Sequence, residues 1–205
     1  MELKEALQEL RKQEKKNFDQ SVDLIINLKD IDVKRDNIAA VITIPHKIKD
    51  KKVCAFLTKK SEKVPTITSL EFAKYKDKKS LKNLVKEYDF FIAAAKLMPS
   101  VATTFGKVLG PTGKMPSPQL GVLMQEEDAA ITALLTKIDT AVKIRVKEPS
   151  VKLSIGKQGM SDEDIMANIQ AIYQGLVAAL PVKKDNVKSV LVKLTMGKPL
   201  KVEMK

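Results

Sequence analysis

Few side chains in this sequence could carry reactive chemistry. It holds one histidine, His46, and one cysteine, Cys54, so a Cys/His zinc site is excluded by arithmetic and no internal disulfide can form. Counting does not exclude a nucleophile pair of those two residues, but nothing around either one supports it. Asp162-Glu163-Asp164 gathers three carboxylates. They follow Ser161 and precede an apolar-periodic run, so they read as the charge of a helix start rather than as an acid/base pair. Gly113-Lys114 invites comparison with a phosphate-binding loop, which needs a glycine six residues before the lysine and Ser or Thr after it. Val108 and Met115 occupy those positions, and Gly106-Lys107, Gly156-Lys157 and Gly197-Lys198 fail the same test. What remains is Ser189 to Gly197. There Val190, Val192 and Leu194 alternate with Ser189, Leu191, Lys193 and Thr195, the period of a half-buried strand. One face can enter a core. The other offers hydroxyls and a lysine, which is hydrogen-bonding chemistry rather than catalysis.

The charge balance favours the same direction. The 205 residues carry 37 Lys plus Arg against 25 Asp plus Glu, a net +12, and such a charge draws polyanions, nucleic acid above all, through counterion release. Residues 48–139 and 140–205 each hold +6, and residues 1–47 balance to zero. No strongly basic amphipathic helix marks a membrane surface, and the longest apolar run, Phe90 to Ala95, is far too short to span a bilayer. The N-terminus lacks a basic-then-apolar signal pattern, so the expectation is an intracellular, cytoplasmic protein. Aromatic residues make up 4% of the chain, with no Trp. A reader of splayed single strands by stacking is therefore disfavoured, and a β surface packed against ribose 2′-hydroxyls and phosphates of a folded RNA fits better.

The elements that must position this face can be read by periodicity. Leu3, Leu7 and Leu10 predict an amphipathic helix over residues 2–16, followed by strands over Phe18–Asn27 and Ile38–Ile44 with a polar connection, Lys29 to Asn37, between them. A lysine-rich connector, Lys47 to Lys52, marks a composition shift. Beyond it the pattern alternates as in a parallel α/β unit. Strands are expected at Val53–Leu57, Thr66–Leu70 and Phe90–Ala94. Helices are expected after a Ser80 cap, from Pro99 to Gly110, and from Glu126 to Ile138. Lys107 to Pro118 reads as a rigid surface loop held by three prolines. Ala141–Lys147 and Val151–Ser154 read as strands. Ser161 caps a helix carrying Ile165, Ile169, Ile172, Leu176 and Leu180, and Leu200–Met204 is a last short strand. The simplest architecture joins head and tail into one domain and inserts the middle unit, with a double hinge near Lys47 and Asp139.

Four stretches, in order along the chain, resemble the L-one family of large-subunit ribosomal proteins. They are Asn17-Phe18-Asp19-Gln20-Ser21-Val22-Asp23, the Lys107 to Pro118 loop with its Gly-Pro-x-Gly-x-x-Pro-x-Pro pattern, Ser154-Ile155-Gly156-Lys157, and Ser189 to Gly197 ending in Thr-Met-Gly. The resemblance covers essentially the whole chain and is greatest to the archaeal branch. It implies an α/β protein of two domains: a discontinuous split α+β RNA-binding domain, residues 1–47 and 140–205, and an inserted Rossmann-like three-layer α/β domain, residues 48–139. It implies binding to the large-subunit ribosomal RNA of the stalk beside the exit-site tRNA, help in releasing deacylated tRNA, and repression of the protein's own messenger RNA through a mimic of the rRNA site. A cytoplasmic location in the ribosome, a monomer when free, and the lack of cofactor, metal and catalytic residue belong to the same expectation.

Carried over residue by residue, the RNA-binding set is Phe18, Ser21 and Asp23 on the first strand, Gly156 and Lys157, and Ser189, Thr195, Met196 and Gly197 on the last. Ser21, Ser189 and Thr195 would bring hydroxyls to 2′-OH and phosphate. Gly197 would let backbone approach RNA, and Phe18 and Met196 would offer apolar surface; without the family, core packing is the simpler expectation for both. Asp23 would accept from a 2′-OH or an exocyclic amine. Asn17 stands where a basic residue often precedes the Phe, and Asp23 where Glu is common. Two other classes stay open: a ribosome-assembly factor with the same domain, and an α/β enzyme using the Gly110 to Lys114 loop on a phosphorylated substrate.

Overall fold

A computed structural model describes residues 1–12, 17–32, 36, 38–75 and 77–204 of the chain. These residues form a mixed α/β structure that divides into two compact units, Met1–Lys49 with Thr140–Lys205, and Asp50–Asp139.

In the first unit α1, Leu3–Lys12, buries Ala6, Leu7 and Leu10. The helix expected to residue 16 is seen to Lys12, and residues 13–16 lie outside the described set, as does part of the connection expected over 29–37. β1, Ser21–Leu28, begins three residues later than predicted, so Phe18 precedes the strand. β2, Ala39–Thr43, pairs antiparallel with β7, Ala141–Arg145. β8, Ser150–Lys157, runs three residues past its predicted end. With β9, Val187–Leu194, and β10, Leu200–Val202, it completes an antiparallel sheet of order β10-β9-β1-β8. Its inner face is the apolar half of each alternation, including Val22, Leu24, Ile26, Val190, Val192 and Leu194, all buried in one core. α5, Asp162–Ala179, packs Ile165, Ile169, Ile172 and Leu176 into that core. The N–H of Asp164 donates to Ser161 Oγ at 3.2 Å, the cap expected from the sequence, so the three carboxylates sit on the positive end of a helix.

The second unit holds a parallel sheet of order β4-β3-β5-β6, built from β3, Val53–Leu57; β4, Thr66–Thr68; β5, Phe90–Ala94; and the two-residue β6, Val122–Leu123, which the sequence pattern did not reveal. Every residue of β3 is buried, as expected of a parallel strand covered on both faces. Cys54, Phe56, Phe91 and Ala93 share a core with α2, Lys78–Glu87, and α3, Met98–Thr112. α4, Asp128–Thr140, buries Ile131 and Ile138 outside that cluster.

Besides two-residue offsets at both ends of α4, expected over Glu126 to Ile138, two helix ends differ from expectation. The N-cap position of α2 is Asp77, whose side chain makes no capping bond, and not Ser80, which falls in the first turn. α3 does not stop at Gly110 but takes Pro111 into its last turn and ends at Gly113, whose φ of +74° only a glycine adopts cheaply. The Gly113 N–H donates to Gly110 O (3.0 Å) and the Lys114 N–H to Leu109 O (3.1 Å), the paired closure that favours glycine at this position. The Lys114 ammonium donates to the carbonyls of Val85 (2.7 Å) and Tyr88 (2.6 Å) at the C-terminal end of α2. A lysine that looked like a phosphate ligand is thus engaged in closing a helix.

Candidate nucleic-acid interface

Register decides what the outer face of the antiparallel sheet presents. Asp23 stands between Lys193 on β9 and Ser154 on β8, Ile25 between Leu191 and Lys152, and Asn27 between Ser189 and Ser150. The face is therefore three cross-strand rows: a charged row, an aliphatic row edged by lysine, and a polar row. In the polar row Asn27 Nδ2 donates to Ser189 Oγ (3.0 Å) and Ser150 Oγ donates to Asn27 Oδ1 (3.0 Å). Ser189 accepts in that bond and keeps its own proton, which suits a phosphate or ribose oxygen. Asn27 and Ser150 were absent from the predicted set. Alternation puts Asn27 on the outer face, but its partners lie more than a hundred residues away and only the register names them.

Burial pushes the Asp23 carboxyl up from its ordinary value, and the Lys193 ammonium opposite opposes that rise. The positive charge of Lys193, paired with Asp23 across the strands, offsets the repulsion a bare carboxylate would show to phosphate. Lys193 supplies a cation at the same spot.

At one end of the sheet the segments converge. Thr195 Oγ1 accepts from the Ser21 N–H (3.1 Å) and donates to Ser21 O (3.2 Å), while the Thr195 N–H donates to Ser21 O (3.1 Å). The predicted role of this hydroxyl toward phosphate is changed by that geometry. Its proton is engaged on the protein, and toward RNA it can act as an acceptor from a 2′-OH. Gly197 donates its N–H to Leu194 O (2.9 Å), closing the turn after β9. Met196 and Phe18 are 69% and 52% exposed, so neither packs in the core. Two exposed large apolar side chains therefore flank one end of the sheet.

Gly156 and Lys157 divide. Lys157 is exposed and its ammonium lies 4.0 Å from an Asp19 carboxylate oxygen. Gly156 is buried: an irregularity in pairing between Val22 and Asp23 turns Ile155 and Gly156 both inward. A β carbon at Gly156 would come within 3.2 Å of Ile165 Cγ1 and Met160 Sδ. The close approach that calls for glycine there is to α5 and its preceding turn. That turn is clamped by Arg11, which donates from Nε to Asp162 Oδ1 (2.6 Å) and from the guanidinium to the carbonyls of Gln158 (3.2 Å) and Met160 (2.5 Å).

The chain is thus a basic α/β protein with an antiparallel sheet, one face in the core and the other laid out as charged, aliphatic and polar cross-strand rows. No group of three or more His, Cys, Asp or Glu able to hold a metal ion occurs among the described residues, and no helix among them is long and apolar enough to cross a membrane. The family described as "Ribosomal protein L1p/L10e family" matches residues 10–198, and the chain belongs to that family. The large ribosomal subunit protein uL1 of Pyrococcus horikoshii is 34% identical over 97% of this chain and 94% of its own length. The uL1 proteins of Thermofilum pendens (35%, covering 98% and 90%) and Methanococcus vannielii (36%, covering 96% and 95%) are comparably similar. These relatives are archaeal ribosomal proteins, not enzymes.

Proposed function

We propose that this protein is a constituent of the large ribosomal subunit and binds folded ribosomal RNA through the outer face of its β10-β9-β1-β8 sheet. The observation that carries the reading is the sheet end where Phe18 and Met196 stand exposed beside Ser21, Asp23 and Thr195, with the polar row of Ser189 farther along the same face. Apolar side chains held out of the core give a sugar or base edge something to pack on, and the polar rows behind them meet 2′-hydroxyls and phosphates. Lys157, Lys193 and Gly197 complete the contact surface, and Gly156 supports it from behind by letting α5 approach. In this reading residues 1–47 with 140–205 are the RNA-binding domain, and residues 48–139 are a Rossmann-like insertion. The protein is a monomer when free and sits on the stalk beside the exit-site tRNA, whose release it assists. Binding a mimic of the same RNA site in its own messenger represses its translation.

The test is affinity for a stalk RNA fragment at two salt concentrations, for wild type, Thr195→Val and Met196→Ala. Phosphate contacts weaken with salt, whereas a lost specific contact costs roughly 1–3 kcal/mol at either salt. The expected result is a salt-independent loss confined to the cognate RNA. Equal, weak, salt-driven binding of all three proteins to any RNA overturns the reading. Repression is tested separately: a transcript segment of the protein's own gene that binds no better than random RNA removes it. An assembly factor is distinguished by its absence from finished large subunits on co-sedimentation.

A further inference from the structure

Gln20 carries an amide into the core edge of the first unit. It is 2% exposed, one of few buried polar side chains, and it continues the inward alternation of Val22, Leu24 and Ile26 one step before β1 begins. Burying an amide is unfavourable unless its groups are bonded, so its partners show what it is for. Its backbone carbonyl accepts from the Gln158 N–H (2.8 Å) in the turn after β8. Its side-chain Oε1 accepts from the Met196 N–H (3.1 Å) in the turn after β9. One residue thus links the start of β1 to both neighbouring strand ends, with Thr195 bonded to Ser21 on one side of it and Gly197 closing onto Leu194 on the other.

We propose that Gln20 is the positioning residue of the RNA interface. It acts through Met196, fixing that peptide from inside the protein so that the Met196 side chain is held outward, 69% exposed, rather than folding onto the sheet end. Because the amide is neutral and buried, it supplies an acceptor without adding a charge that RNA would feel. The inference rests on the RNA-binding reading above, and its partner is the same folded RNA.

The experiment is a double-mutant cycle on affinity for the stalk RNA fragment: wild type, Gln20→Met, Met196→Ala, and both together. Methionine is close to glutamine in size and lacks the acceptor. Gln20→Met is expected to weaken cognate binding about tenfold where Met196 is present, as loss of one well-placed hydrogen bond does. In the Met196→Ala background the same change is expected to cost less than about twofold, because the residues act as one unit. Equal losses in both backgrounds, or none in either, overturn the inference while leaving the RNA-binding reading intact. If wild type does not distinguish cognate from scrambled RNA, the reading itself falls. A second measurement needs no variant: hydrogen exchange at the Met196 amide in the free wild-type protein. Protection comparable to Thr195 and Gly197 is expected, and exchange at the unprotected rate refutes the bond on which the inference stands.

Discussion

Thr195 shows how far a single hydroxyl's meaning depends on its neighbours. Valine keeps its shape but removes both side-chain bonds to the Ser21 backbone, leaving that N–H short of a partner. Thr195→Val is therefore expected to lower unfolding stability by about 1–2 kcal/mol as well as weakening RNA binding, measured by urea titration alongside the affinity assay. Cys54 behaves oppositely, as a residue whose reactivity the fold suppresses. Burial, with the Glu87 charge adding to it, pushes its thiol up to about 12. Native protein should react with a disulfide reagent at pH 8 orders of magnitude more slowly than the same protein in denaturant, because the thiolate is the nucleophile. Rapid labelling without unfolding would show the second unit's core to be open.

Among the elements, α5 is the one on which the first unit depends. Asn168, buried within it, accepts from the His46 N–H (3.0 Å) and donates to the carbonyls of His46 (3.0 Å) and Ile155 (3.0 Å), so one side chain ties the helix to the end of the β2 segment and to β8. Asn168→Ala leaves three buried or half-buried backbone groups without this partner and should cost roughly 2–4 kcal/mol by chemical denaturation. On the same helix, a β carbon at Gly175 would meet three carbons of Ile42 at 2.8–2.9 Å. Gly175→Ala therefore forces α5 off β2 and should cost about 1–3 kcal/mol despite alanine's better helix propensity. A gain in thermal stability would show that the ribbon yields freely. Most of α5 was legible because its apolar period is strong and its cap is local. β6 was not, since a two-residue strand has no period to detect. The end of α3 was misread because Pro111 and Gly110 look like stop signals, whereas the closing geometry is set by Gly113.

For the molecule as a whole, the two units should respond differently to acid. Hydrogen bonds from Thr68 hold the Glu71 carboxyl below its ordinary 4.5, and Glu126, although partly desolvated, is lowered by bonds from Thr58. A carboxyl depressed in the folded state contributes stability that is present above its unfolded pKa and lost as pH falls through the folded value. Asp23 is raised instead, so the folded first unit takes up its proton first and gains from it as pH drops. Between about pH 6 and pH 3.5, amide protection in β3 and β5 should fall more than in β1 and β9, after correction for intrinsic exchange rates. An equal loss in both sheets would contradict this assignment.

Local periodicity and motif order, by themselves, determined the apolar halves of β1, β9 and α5, the basic partner class, and the family resemblance through Phe18, the Gly110–Pro118 loop and Thr195-Met196-Gly197. They could do so because each signal lies within a few residues of chain. Tertiary structure alone decided which way ambiguous residues face: Met196 and Phe18 outward, Gly156 inward, Lys114 onto a helix end. It alone made Asn27 the bridge between Ser150 and Ser189, and made Gln20 the tie beneath Met196. The physical reason is register. β1 pairs with residues of β8 and β9 more than a hundred positions away, and a one-residue slip would exchange the core face for the open one.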